Sequence, residues 1–255
     1  MTEQLIDLTV VVPARNEERL LPATLAALGD AGSSQSFSME MIVVDNASSD
    51  GTAKVARAGG ARVVFEPMAQ IARARNAGAA GGTGKWFLFV DADTLVSKET
   101  LHQAVEALRS GTVCVGGAAI EGDGEWRGFA KFLVWFWGRV SRWMKLPAGS
   151  FFFCTREGFE AVGGFEEGVY AGEEVWFARR LKKWGKARGQ GFHQIEDPPV
   201  VTSVRKGEMV SSFGLALQFV LLVTCPWIAR IRAFCWVWDR SPEVLTKNQE
   251  EAFER

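Results

Sequence analysis

Trp86-Phe87-Leu88-Phe89-Val90 is an apolar run without a polar break, and it leads straight into Asp91-Ala92-Asp93. Such a run reads as a strand buried on both faces, which places it inside a sheet covered by helices. The strand delivers two carboxylates, one residue apart, at its carboxyl end, where ligands of open α/β sheets bind. Paired aspartates there can hold a hard divalent cation, and the cation can bridge the phosphates of a nucleotide. A plainer reading makes them two exposed acids in a turn, with Asp93 capping a helix that starts near Lys98.

The first half of the chain alternates strand and helix signals at short intervals, the pattern of βαβ units around a mostly parallel sheet. Strands are predicted at 8–12, closed by Pro13, and at 41–44, 62–65, 86–90 and 113–119. Helices are predicted at 17–28, at 52–58 with Asp50 as N-cap, at 71–80 and at 98–108. A strand at 149–155 and helices at 156–162 and 173–184 follow. The expected architecture is an α/β domain over 1–205 with a helical, aromatic-rich appendage over 206–255. A chain of 255 residues can bury a sizeable core in this way.

Charge and cysteine usage narrow the function classes. Lys and Arg number 29 against 30 Asp and Glu, so nothing global points to a nucleic-acid partner. Cys114, Cys154, Cys225 and Cys235 form no Cys-x-x-Cys pair, which argues against zinc and for reduced, cytoplasmic thiols. The first seven residues lack the basic-then-apolar pattern of a signal peptide.

Each early strand ends in residues able to touch a nucleotide. Pro13-Ala14-Arg15-Asn16-Glu17 follows the first, and Asp45-Asn46-Ala47-Ser48-Ser49-Asp50-Gly51-Thr52 follows the second. Arg73-Ala74-Arg75-Asn76 precedes the fourth. Together they offer carboxylates and amides for a base and ribose, and cations for phosphate. A capped turn would explain the second loop alone, but not three strands ending alike. Two other nucleotide sites are disfavoured. Gly78 to Lys85 has Ala79 where a phosphate loop needs its first glycine and Trp86 where it needs Ser or Thr. No Gly-x-Gly-x-x-Gly follows the first strand.

Val11 to Glu17, Val43 to Thr52, Arg75-Asn76-x-Gly78 and Phe89 to Asp93 together resemble family 2 glycosyltransferases of GT-A fold, as do Gly163-Gly164-Phe165 and Gly172-Glu173-Glu174. The resemblance spans about residues 8 to 190. It implies a Rossmann-like, mostly parallel sheet and transfer of a sugar from a nucleotide-diphospho-sugar, assisted by Mn2+ or Mg2+. By position Pro13, Ala14, Arg15, Glu17, Asp45, Ser48, Arg75, Asn76, Asp91 and Ala92 would hold the donor. Asp91 and Asp93 would carry the metal, with His193 a further candidate ligand. A histidine in that setting is more often structural.

Glycosyl transfer needs a base to deprotonate the acceptor hydroxyl. The resemblance places an acidic pair at a helix start, here Glu173-Glu174, with Glu174 as the base. Adjacent carboxylates repel, which raises proton affinity and suits a base. Without the resemblance, acids in a first turn would simply favour the helix dipole. The resemblance also suggests inversion at the anomeric carbon. The Gln-x-x-Arg-Trp segment of processive synthases is absent, which favours transfer of a single sugar. The rivals are a sugar-phosphate nucleotidyltransferase, whose glycine-rich loop after the first strand is missing, and a non-catalytic nucleotide-sugar-binding protein, which would not need Glu174.

The second half is rich in aromatics and cations. On a helical projection Arg127, Lys131, Gly138, Arg142 and Lys145 share one face, opposite Phe129, Phe132, Leu133, Phe136, Val140 and Trp143. That is the pattern of a helix lying on a membrane surface, and equally of a core-facing helix with solvated cations. Residues 209–229 carry no charge, and Trp227, Arg230, Arg232, Trp236 and Trp238 resemble an interfacial belt. The expectation is peripheral contact with the cytoplasmic face of a membrane and a lipid or lipid-linked acceptor.

Overall fold

The computed structural model describes residues 6–124, 128–147, 149–204, 214, 221 and 224–235. Its strands are β1 (Leu8–Ala14), β2 (Met39–Asp45), β3 (Arg62–Phe65), β4 (Trp86–Val90), β5 (Thr94–Leu95), β6 (Val113–Gly122), β7 (Phe151–Thr155) and β8 (Gly191–Thr202). They form one sheet in the order β3-β2-β1-β4-β7-β6-β8-β5. β1, β2, β3 and β4 run parallel, β6 and β8 are parallel to each other, and β7 lies antiparallel between β4 and β6. The α/β, mostly parallel architecture expected from the sequence is present.

Helices cover both faces because alternate strand residues point to opposite sides. On one face Leu8, Val10, Val12, Leu88 and Val90 pack with α1 (Leu21–Ser33), α2 (Thr52–Ala58) and α4 (Lys98–Arg109). On the other, Val11, Phe87, Phe89 and Phe152 pack with α3 (Ile71–Gly81), α6 (Arg156–Ala161) and α7 (Glu173–Lys186). There Phe89 stacks on Phe152 with ring centroids 4.7 Å apart, and Phe165 stacks on Phe177 at 4.4 Å. Such pairs stabilise beyond their burial alone. α5 (Gly128–Met144) bridges β6 and β7 on the rim where the carboxyl ends of the parallel strands emerge.

Several boundaries differ from the sequence expectation. α1 begins at Leu21 rather than Glu17, because residues 17–20 form a turn bonded to the next loop and Pro22 suits a first helical turn. β1 continues through Pro13, which pairs only with β2, since the ladder to β4 ends at Val11. Gly51, not Asp50, is the N-cap of α2, although Asp50 Oδ1 accepts the Thr52 amide at 2.9 Å. Ser97 caps α4 by accepting the Thr100 amide at 3.0 Å, so Asp93 does not cap it. β5 and β8 were not expected. β8 carries Pro198 and Pro199, and its register against β6 shifts there. Residues 226–230 and 232–234 are 3₁₀ turns. Most of the uncharged stretch 209–229, together with Arg127, Trp236 and Trp238, lies outside the described residues. No helix among the described residues is long and apolar enough to cross a membrane.

Candidate active site

The loops after β1 and β2 are stitched together backbone to side chain. The Asn46 amide donates to the Ala14 carbonyl (2.8 Å), and the Ser49 amide donates to Asn16 Oδ1 (2.8 Å). The Asn16 amide donates to Ser48 Oγ (3.1 Å), and the Glu17 amide donates to Thr52 Oγ1 (2.9 Å). Asn16 (φ 56°) and Ala47 (φ 57°) sit in the left-handed region, costly for alanine and held here by these bonds. Asp45 is buried at the end of β2, where its Oδ1 accepts the Ser48 amide at 3.0 Å. Pro13, Ala14, Arg15, Glu17 and Asp45 therefore share one rim of the sheet. The Ser48 hydroxyl takes part in joining the two loops.

β4 emerges beside them. The Asp91 amide donates to the Ser150 carbonyl (3.1 Å), and the Thr94 amide closes a turn on the Asp91 carbonyl (3.1 Å). The Thr24 hydroxyl donates to the Ala92 carbonyl (2.8 Å), and the Ser203 amide donates to the Asp93 carbonyl (3.2 Å). Asp91 and Asp93 are thus oriented from four directions. Their donor set is two hard carboxylates, which fits Mn2+ or Mg2+. Among the described residues no group of three or more His, Cys, Asp or Glu side chains forms a metal cage. A cation here would take its remaining ligands from water and phosphate oxygens.

His193 does not join this group. It pairs with Gly116 in β8, three strands from β4, and lies nine residues before Thr202, whose hydroxyl approaches Asp93 Oδ1 at 3.5 Å. Their β6 partners, Gly116 and Gly122, are six residues apart, which is about 20 Å along the sheet. Asn76 is also diverted from the donor. Its amide nitrogen donates to the Phe165 carbonyl (3.0 Å) and its oxygen accepts the Phe165 amide (2.8 Å). Gly164 must be glycine for this clamp: its φ is +66°, and a Cβ would come within 2.7 Å of Asn76 Oδ1.

Arg75, expected at the diphosphate, is instead 1% exposed. Its Nη1 lies 2.5 Å from Glu173 Oε1, and its Nη2 lies 3.4 Å from Asp91 Oδ1 and 2.8 Å from the Gly149 carbonyl. Its guanidinium also stands 5.4 Å from the ring centres of both Phe152 and Phe165. Glu173, 3% exposed, opens α7 after Gly172, whose φ of 66° sets the turn. Burial pushes the Glu173 carboxyl above its ordinary range, against the pull of Arg75. Glu174 is pushed up to about 8, first by burial and then by the charge of Glu173. A carboxyl tuned to that range can take up a proton near neutral pH.

Sequence reasoning missed Gly149, whose carbonyl binds Arg75 and whose Cβ, if present, would sit 3.5 Å from Glu174 Cδ. It also missed the bridge Glu66–Arg73–Glu167, with nitrogen–oxygen distances of 3.2 and 2.5 Å. Arg73 lies in a stretch the sequence offers for phosphate, but no periodicity or motif marks Gly149, Glu66 or Glu167. Gly149 and Glu167 meet partners 74 and 94 residues away in the chain.

Residues 9–159 match the family model described as Glycosyl transferase family 2. An uncharacterized glycosyltransferase of Mycobacterium tuberculosis (strain ATCC 25618 / H37Rv) is 40% identical over 109 residues, 43% of this chain and 47% of that protein. The match thus spans about half the length of this relative. Among solved structures, the Pyrobaculum calidifontis mannosyltransferase in complex with GDP-Man and Mn2+ gives a TM-score of 0.64 at 22% identity, covering 92% of this chain and 70% of that one. Glucosyl-3-phosphoglycerate synthase from Mycobacterium tuberculosis, with Mn2+, UDP and phosphoglyceric acid, gives 0.61 at 19% identity, covering 88% and 78%. These likenesses show the GT-A fold.

Proposed function

The chain belongs to glycosyl transferase family 2, and we propose that it transfers a single sugar from a nucleotide-diphospho-sugar to an acceptor hydroxyl, with inversion. One observation carries this reading: the Asp91–Asp93 turn and the Glu173–Glu174 pair converge on Arg75 at the carboxyl rim of the sheet. Pro13, Ala14, Arg15, Glu17 and Asp45 line the donor side. Asp91 and Asp93 would hold Mn2+ or Mg2+, which when bound neutralises charge on the diphosphate, worth several kcal/mol. Glu174 takes the proton of the acceptor hydroxyl as its oxygen attacks the anomeric carbon. The bond to the diphosphate breaks on the opposite face, so the configuration inverts and no enzyme-bound sugar is needed. UDP- and GDP-sugars are the first donors to test, since structural relatives are seen in complex with UDP-GlcNAc and GDP-Man.

The second part of the proposal concerns location. We assign catalysis to residues 1–205 and peripheral contact with a membrane surface to α5 and the appendage 206–255, the acceptor being lipid or lipid-linked. Phe132, Trp135 (57%), Phe136 and Trp143 (84%) on α5 and Trp227 (62%), Ile231 and Phe234 are exposed. Among the described residues the other exposed large hydrophobics are Phe65, Met68 and Leu95. Lys131, Arg139, Arg142, Arg230 and Arg232 are exposed in the same segments, with the Arg139 guanidinium 5.5 Å from the Trp135 ring centre, the composition of an interfacial surface. A core-facing α5 is disfavoured by the same exposures.

The test is release of nucleoside diphosphate from a donor panel, with and without Mn2+. The expected result is metal-dependent release, enhanced by acceptor and lost in Asp93→Ala. Pyrophosphate as the product would overturn the reading in favour of nucleotidyl transfer. Failure to bind anionic vesicles at low salt would overturn the membrane assignment.

A further inference from the structure

We propose that Arg75 is a positioning residue: it ties Asp91 to the acid pair of α7, makes Glu173 a fixed counter-ion, and leaves Glu174 alone to face the acceptor. The inference rests on the transferase reading and names which acid of the pair works and what holds it.

Three features of the geometry point this way. Arg75 is enclosed, so it meets a bound donor only by leaving Glu173, Asp91 and the Gly149 carbonyl together. Glu173 is equally enclosed: one oxygen meets Arg75, while the buried Oε2 has no hydrogen-bond partner among the described residues. An acid so placed cannot touch an acceptor, and its charge is tolerated only because Arg75 compensates it. Glu174 is less buried and lies beside Gly149, where the missing side chain leaves room.

The same guanidinium spans both halves of the reaction centre. Asp91 belongs to the turn after β4, and Glu173 to the first turn of α7. One rigid planar fork shared between two carboxylates fixes their separation, which a lysine cannot do. α3 reinforces the coupling, because Asn76 holds the Phe165 backbone and Arg73 holds Glu167, both in the loop leading to Glu173. Displacing the donor side would therefore displace the acid pair. Geometry of this kind controls turnover more than ground-state affinity.

The experiment compares Arg75→Lys, Glu173→Gln and the double variant in the full chain. Kinetics use the donor turned over by the unaltered protein, and calorimetry uses Mn2+ with UDP or GDP. The expected result for each single variant is a kcat at least tenfold lower, with donor KM and nucleoside-diphosphate affinity within threefold. The double variant should be no slower than Arg75→Lys alone. Nucleotide affinity lost more than tenfold in Arg75→Lys, with kcat retained, would overturn the proposal and place Arg75 on the diphosphate. So would an unchanged kcat in Glu173→Gln.

Urea unfolding of the same set reads the coupling without turnover. Midpoint shifts should be non-additive, and additive shifts would overturn the proposal. If the unaltered protein turns over no donor, the transferase reading fails while the urea cycle still judges the coupling. If Arg75→Lys does not fold, Glu173→Gln and Asp91→Asn form the cycle, with the same expectation.

Discussion

Replacing Glu174 with glutamine should stabilise the protein at high pH while removing its activity. Burial and the neighbouring Glu173 charge push the Glu174 carboxyl from its ordinary 4.5 up to about 8. At about 1.4 kcal/mol per pH unit this costs the ionised native state at most about 5 kcal/mol. Glu174 is only partly enclosed, and solvent screening brings the figure to about 2 kcal/mol. The sign follows from proton counting. The native state holds this proton more tightly than the unfolded chain, so stability falls as pH rises from about 4.5 and the loss is complete above about 8. Glutamine keeps the shape and carries no such penalty. Glu174→Gln should therefore match the parent in Tm near pH 4 and exceed it at pH 9. For a chain of this size, about 2 kcal/mol corresponds to about 4–8 °C. Scanning calorimetry of metal-free protein across that range is the assay. A gap in Tm that does not widen with pH, or a parent more stable at pH 9, would refute the reasoning. In parallel kcat/KM of the parent should climb with pH towards about 8, and the variant should lose about 10²–10⁴-fold, the usual contribution of a general base.

Asp93→Asn should weaken Mn2+-dependent binding of UDP or GDP at least tenfold by calorimetry, and chelation should abolish diphosphate release until Mn2+ is restored; activity that survives chelation would contradict the metal assignment. Gly164→Ala should destabilise by about 1–3 kcal/mol in urea, because a Cβ would be strained at φ +66° and would press on Asn76 Oδ1. Trp143→Ser should change stability by less than about 0.5 kcal/mol, since the side chain is exposed. Its co-sedimentation with anionic vesicles should nevertheless drop, and equal binding by both proteins would remove Trp143 from the membrane surface.

β3 and β4 fall at 62–65 and 86–90 as predicted, and α3 and α4 within one residue, because their periodicity and breakers are local. β8 was hidden by its prolines. It becomes a strand only where β6 and β5 supply partners, and no local signal carries that. The start of α1 carries no local signal for a similar reason, since the turn before it is bonded to a loop more than thirty residues away. Fold class and the family motifs were legible from the order of apolar runs and the polar residues closing them.

The roles of individual site residues were a different matter. Asp91 and Asp93 could be singled out because they close a buried strand at the ligand-binding rim, whereas Glu173 and Glu174 stood out only through the family resemblance, since acids in a first turn otherwise favour the helix dipole. Arg75 and Asn76 sit in the same sequence motif, yet tertiary contacts turned them from the donor to partners 98 and 89 residues away. His193 was displaced by the register of β8. Local chemistry determines which groups a segment offers. Whether a buried guanidinium meets a phosphate or a carboxylate is decided by which charge the fold encloses beside it, because a charge removed from water must be compensated where it lies.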